Sequence, residues 1–128
     1  MTQECDVVFS YGRGQAIADG VLRDVTAMAM DAGFRYPVAL TVGAWVDCVA
    51  WRSGGDGSGQ SESGRLWEVL HMARLAFRRA AGRTVLFTLL VVPRRGTSRN
   101  PQPVGLKMVV GPGDELEPVI TILLPGED

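Results

Sequence analysis

The sequence predicts an α+β fold in which a small, mostly antiparallel sheet, ending in a three-stranded meander, packs against a long amphipathic helix and shorter N-terminal helices. Three observations carry that prediction. Leu66, Leu70, Ala73, Phe77 and Ala80 recur at spacings of three and four, the period of one helix face. Three segments dense in Val, Ile and Leu follow at 84–92, 104–110 and 118–124, separated by Pro- or Gly-containing loops. The chain has 128 residues, 46% of them apolar, which is enough for one core and not for two, so residues 1–128 form a single globular domain.

Taken in order, Val7, Val8 and Phe9 favour a short strand over 6–11, closed by Gly12-Arg13-Gly14. A short helix over 15–19 stops at Gly20, and a brief extended piece covers 21–25. Thr26 can cap a small-residue helix over 27–32 that Gly33 ends. Pro37 holds 34–41 extended, and Thr41 is placed to cap a helix over 42–51 whose Val42, Trp45, Val46 and Val49 would form a buried stripe. Residues 53–63 are Gly, Ser and acid almost throughout, the composition of a surface loop. The long helix is expected over 63–81, capped by Ser63 and stopped by Gly82. Trp67 and Ala76 widen its apolar face, and Arg65, Glu68, Arg74, Arg78 and Arg79 take the other side.

Composition excludes several classes of function. Thirteen basic residues against fourteen acidic give a formal charge of −1, without the basic excess that holds proteins on nucleic acid by counterion release. Cys5, Cys48 and the lone His71 cannot complete a zinc site unaided, and two cysteines make no disulfide framework, so no metal or cofactor is expected. The N-terminus has no basic leader and no apolar run approaches the roughly 18 residues of a membrane span, which points to a cytoplasmic protein. No Ser-His-Asp, Cys-His or paired-carboxylate set is recognisable, so no catalytic residue is assigned.

Four groups remain as binding candidates. Gly12-Arg13-Gly14-Gln15 invites comparison with a phosphate-binding glycine turn, although Ile17 stands where a dinucleotide fingerprint needs a small residue and the Gly-Lys-Ser/Thr of a P-loop is absent. Asp19 is one of several acids that caps and solvated faces explain singly. Of the three tryptophans, Trp45 and Trp67 sit at core-like positions, and Trp51, beside the Gly/Ser-rich loop, is the one expected to be exposed. Arg94, Arg95 and Arg99 form a basic cluster suited to phosphates or an acidic protein surface.

Tyr11 with 15–22 and Asp24-Val25, then 33–41, then Gly111-Pro112-Gly113-Asp114 with 117–122 carry a resemblance over most of the chain. Gly64-Arg65-Leu66-Trp67 and the Leu-Pro-Gly-Glu-Asp ending fit it too. Together they resemble a small, functionally unassigned protein family carried on bacterial plasmids, phages and integrated elements. The resemblance implies a mobile-element accessory protein, for which inhibition of a host defence system is a common occupation. It marks Tyr11, Gln15, Asp19, Arg65, Trp67, Asp114 and Glu117 as positions to test, while Arg13-Gly14 departs from the family's first turn.

The leading expectation is a non-enzymatic binding protein for a host protein, working as a homo-oligomer through an exposed sheet edge or the Trp51 region. The second is a nucleotide-binding or phosphate-ester-processing protein with Tyr11, Arg13, Asp19 and Arg65 around one pocket. The third is weak nucleic-acid binding through 94–99.

Overall fold

The computed structural model describes residues 12–51, 61–93 and 100–127. The strand expected over 6–11, residues 53–60 of the loop expected over 53–63 and the basic cluster of Arg94, Arg95 and Arg99 lie outside them, as does Tyr11. Within them the chain is mixed α and β, with five strands and four helices. These are α1 (Arg13–Ala18), β1 (Leu22–Asp24), α2 (Thr26–Asp31), β2 (Val38–Thr41), α3 (Val42–Cys48), α4 (Glu62–Arg78), β3 (Thr84–Val91), β4 (Gln102–Pro112) and β5 (Pro118–Leu123).

The strands form one sheet in the order β1-β2-β5-β4-β3. Every neighbouring pair is antiparallel except β2 and β5, which run parallel with Ala39 opposite Thr121. Those two central strands are also the most covered: Val38, Ala39 and Leu40 are fully buried, as are Ile120 and Ile122. Cover on both faces is what a parallel pair requires.

One face of the sheet carries the main core. Val38, Leu40, Phe87, Leu89, Leu106, Met108, Ile120 and Ile122 meet Ala29 of α2, Ala44 and Cys48 of α3, and Leu66, Val69, Leu70 and Ala73 of α4. On the opposite face Ala16, Ala39, Val119 and Leu123 are buried apart from that cluster. There α1 is fastened by Arg13, whose guanidinium donates to Thr121 Oγ1 at 2.8 Å and to the Ile120 carbonyl at 2.6 Å. Glu127 fastens the C-terminal end beside it, its carboxylate accepting from Thr41 Oγ1 at 2.6 Å and from the Leu124 amide at 2.8 Å. No helix of the described residues is long and apolar enough to cross a membrane.

Several local expectations are corrected. The cap of α4 is Ser61, whose Oγ accepts from the Gly64 amide at 3.1 Å, and not Ser63. The buried side of α4 is turned toward Arg65 and Val69, which leaves Trp67 40% exposed instead of widening the core face. In α3 the small residues Ala44 and Cys48 face the sheet; of the expected stripe, Val49 is buried and Trp45 packs partly against the core, and Val42 and Val46 lie on the solvent side. Small side chains let a helix approach a sheet closely, and here that proximity turns Val42 and Val46 out of the core. Thr26 does not cap α2; Asp24 Oδ1 accepts from both its amide and its hydroxyl, at 3.2 and 2.6 Å. Thr41 does cap α3, accepting from the Ala44 amide at 3.2 Å.

This packing separates two substitutions of equal violence on one helix. Leu70→Ala empties a fully buried site against the sheet and costs about 2–5 kcal/mol. Trp67→Ala on the exposed side costs about 1 kcal/mol or less, and urea denaturation of both variants measures the difference.

Candidate functional site

Of the sequence candidates, Arg13, Asp114 and Glu117 are brought together. The Asp114 carboxylate accepts from the Arg13 amide at 2.6 Å and the Gly14 amide at 3.0 Å, so it caps the start of α1 from a hundred residues away. A Cβ on Gly12 would lie 3.2 Å from Asp114 Oδ1 and one on Gly14 3.3 Å from Oδ2. The glycines of the turn therefore do admit an anion to bare amides, and the anion is the chain's own carboxylate. Burial lowers the proton affinity of the Arg13 guanidinium, against the opposing fields of Asp24, Asp114 and Glu117.

The turn that delivers Asp114 is tightly built. The Gly113 amide donates to the Glu117 carbonyl and the Glu115 amide to Glu117 Oε1. A Cβ on Gly113 would fall 2.5 Å from the Glu117 carboxyl carbon, so a side chain there would have to displace the Glu117 carboxylate from the Glu115 amide. Leu116 at the tip has φ of +67° and is 82% exposed, a conformation unfavourable for a branched side chain. Between this turn, α1 and the C-terminal end is a cleft of about 470 Å³, lined by Arg13, Thr41, Thr121, Leu123 and Glu127.

The pocket expected to unite Arg13, Asp19 and Arg65 does not form among the described residues. Asp19, at the end of α1, is exposed and accepts from Gln15 Nε2 at 2.9 Å. Arg65 is 6% exposed and belongs to the opposite side of the sheet, where its Nε donates to the Val49 carbonyl at 3.0 Å and its Nη1 to the Val92 carbonyl at 2.9 Å. It was expected on the polar side of its helix. Its bonds instead join the ends of α3 and β3 to the start of α4.

The tryptophans are also redistributed. The Arg65 guanidinium lies 4.6 Å from the Trp51 ring centroid, and the Trp51 amide donates to Glu62 Oε2 at 3.0 Å. Arg23 covers Trp45 in the same way at 4.3 Å. Trp51 and Trp45 are thus partly buried under cations, and Trp67 is the exposed one. Cys48 offers no nucleophile at neutral pH, because burial and then Asp47 push its thiol up to about 11.

A surface that no single residue flagged lies on β3. Its burial alternates strictly: Phe87, Leu89 and Val91 face the core, while Leu86 and Leu90 face outward, 69% and 66% exposed. The eight residues pair with β4 without a bulge, from Thr84 opposite Val109 to Val91 opposite Gln102. On the other side β3 has no neighbour among the described residues. The strand carries no charge and no proline, the usual devices that blunt a free edge. Alternation with leucine in the outward positions, legible as Leu86, Thr88 and Leu90, was the available signal.

Residues 1–128 match the family described as Family of unknown function (DUF6573). No curated protein and no solved structure matches the chain.

The Asp114 junction gives α1 a pH dependence. The amides of Gly14 and Arg13 hold the carboxyl below its ordinary value. Its stabilisation is therefore complete above about pH 4, the unfolded value, and is lost as pH falls through the lower folded value. Against Asp114→Asn, the wild type has the higher urea midpoint at neutral pH, and the gap closes below about pH 4. Urea midpoints from pH 2 to 7 check this.

Proposed function

We propose that this chain, which belongs to DUF6573, is a non-enzymatic binding protein that works as a homodimer and presents the joined outer face of two β3 strands to a further protein. The observation that carries the proposal is the uncharged edge of β3, unpaired among the described residues, with its outward leucines. The strand is self-complementary. With Thr88 on a twofold axis, Leu86 of one protomer lies opposite the partner's Leu90, and Phe87 lies opposite the partner's Leu89. Each face then meets its own kind, apolar leucine with leucine outside and core residue with core residue inside. An isologous contact of this sort closes at two copies.

The setting rests on the resemblance to a family carried by mobile elements, with a host defence protein as the partner met by the joined face. A phosphate-binding role at the Gly12–Gly14 turn is the weaker reading, because the incoming anion would have to displace Asp114 from two amides.

Sedimentation velocity tests the proposal. The wild type sediments as a dimer across the micromolar range, and Leu86→Lys/Leu90→Lys sediments as a monomer with unchanged circular dichroism. In a phage challenge of a defended host, the wild type raises plating efficiency and the double variant does not. A monomeric wild type removes the dimer, and plating unaffected by either protein removes the anti-defence setting.

A further inference from the structure

A second cleft lies on the helix side of the sheet, where α4 passes the segment leading into β2. It has a volume of about 230 Å³. Phe34, 5% exposed, and the fully buried Ile120 line its apolar part. Phe77 stands beside Phe34 with ring centroids 6.0 Å apart and planes tilted by 43°, and Tyr36 joins the lining, 37% exposed. Arg35, Arg74 and Arg78 also line it, and no acid does.

Arg35, Arg74 and Arg78 bring three positive charges to one small cleft, which favours an anion there. Among the described residues no carboxylate is paired with any of the three. In a chain with more acids than bases, that separation is not forced by composition. Arg78 complements the end of α4, but Arg74 lies a turn earlier and Arg35 is outside the helix. Arg74 is also held in place: its Nε donates to the Gly33 carbonyl at 3.0 Å. Gly33 makes this approach with φ of +108°, and a Cβ there would come within 3.0 Å of Arg74 Nε. With Nε occupied, Nη1 and Nη2 are left as a fork, the geometry that grips a phosphate through two parallel bonds.

We infer that this cleft binds a mononucleotide, with its base against Phe77 and Tyr36 and its phosphate on the Arg74 fork between Arg35 and Arg78. The apolar lining takes a planar ring, arginine and aromatic side chains both stack on bases, and the basic rim supplies the charge. The volume admits a ring system and leaves the phosphate at the rim. A peptide or a second domain would need a longer groove. The site is independent of β3, whose exposed leucines point from the other face of the sheet.

AMP titrated into ¹⁵N-labelled protein tests this, followed at the Gly33 amide and the Arg74 Nε–H. Both signals shift and saturate with AMP, and adenosine and inorganic phosphate each bind at least about tenfold more weakly, because each lacks one half of the recognition. Arg74→Gln and, separately, Arg78→Gln weaken AMP at least about tenfold, Arg78→Gln at an unchanged melting temperature. Arg78 makes no contact that the fold depends on, so it keeps the test valid if Arg74→Gln loosens Gly33. Absence of saturable shifts with AMP, adenosine binding as tightly as AMP, or AMP affinity indifferent to both substitutions overturns the site.

Discussion

The structure depends on one constraint: among the described residues, a five-stranded sheet receives nearly all of its cover on one face. The helices α2, α3 and α4 meet the sheet through a continuous core that runs from Val38 to Leu106 and Met108. Burial of that apolar surface is the main source of stability. It also determines what is left over. Among the described residues the opposite face has α1 and the C-terminal end, and both sit over the central strands, fixed by Arg13 on Thr121 and Glu127 on Thr41. The outer side of β3 is left to solvent, with its leucines on it.

Polar groups in this protein are used mainly to join elements distant in sequence. Asp114 closes the start of α1, and Lys107 reaches the Glu127 carbonyl at 2.8 Å. Arg65 donates to two carbonyls, of Val49 just past α3 and of Val92 just past β3. These junctions account for most residues that looked like a ligand site. Their partners are within the chain, so they explain the fold and not a function. What they do not account for is the β3 edge and the arginine-lined cleft at Gly33.

How much of this was legible follows from the range of each interaction. The α+β class and the mostly antiparallel sheet came from local patterns, the repeat from Leu66 to Phe77 and the Val/Ile/Leu-rich segments, because periodicity reports a face directly. Thr41 was readable as a cap because its partner, Ala44, is three residues on. Ser63 was the wrong cap because Ser61 offers the same chemistry two residues earlier, and only the loop's path decides between them. The buried sides of α3 and α4 were misjudged where a charged residue, Arg65, was buried by distant carbonyls and small residues, Ala44 and Cys48, were favoured by close approach. The Asp114 junction, the packing of Trp51 beneath Arg65 and the meeting of Gly33 with Arg74 are contacts between remote segments, which spacing along the chain does not encode.

The central claim, that two copies join through β3 with Thr88 at the axis, is tested most directly by a cross-link. Paired strands place opposed Cα atoms about 4.5–5.5 Å apart, within the roughly 4.4–6.8 Å that a disulfide spans. In a Cys5→Ser background, Thr88→Cys therefore runs as a covalent dimer on a non-reducing gel after mild oxidation, and Thr84→Cys, which lies off the axis, stays monomeric. A Thr88→Cys protein that remains a monomer, or that cross-links no better than Thr84→Cys, contradicts the account.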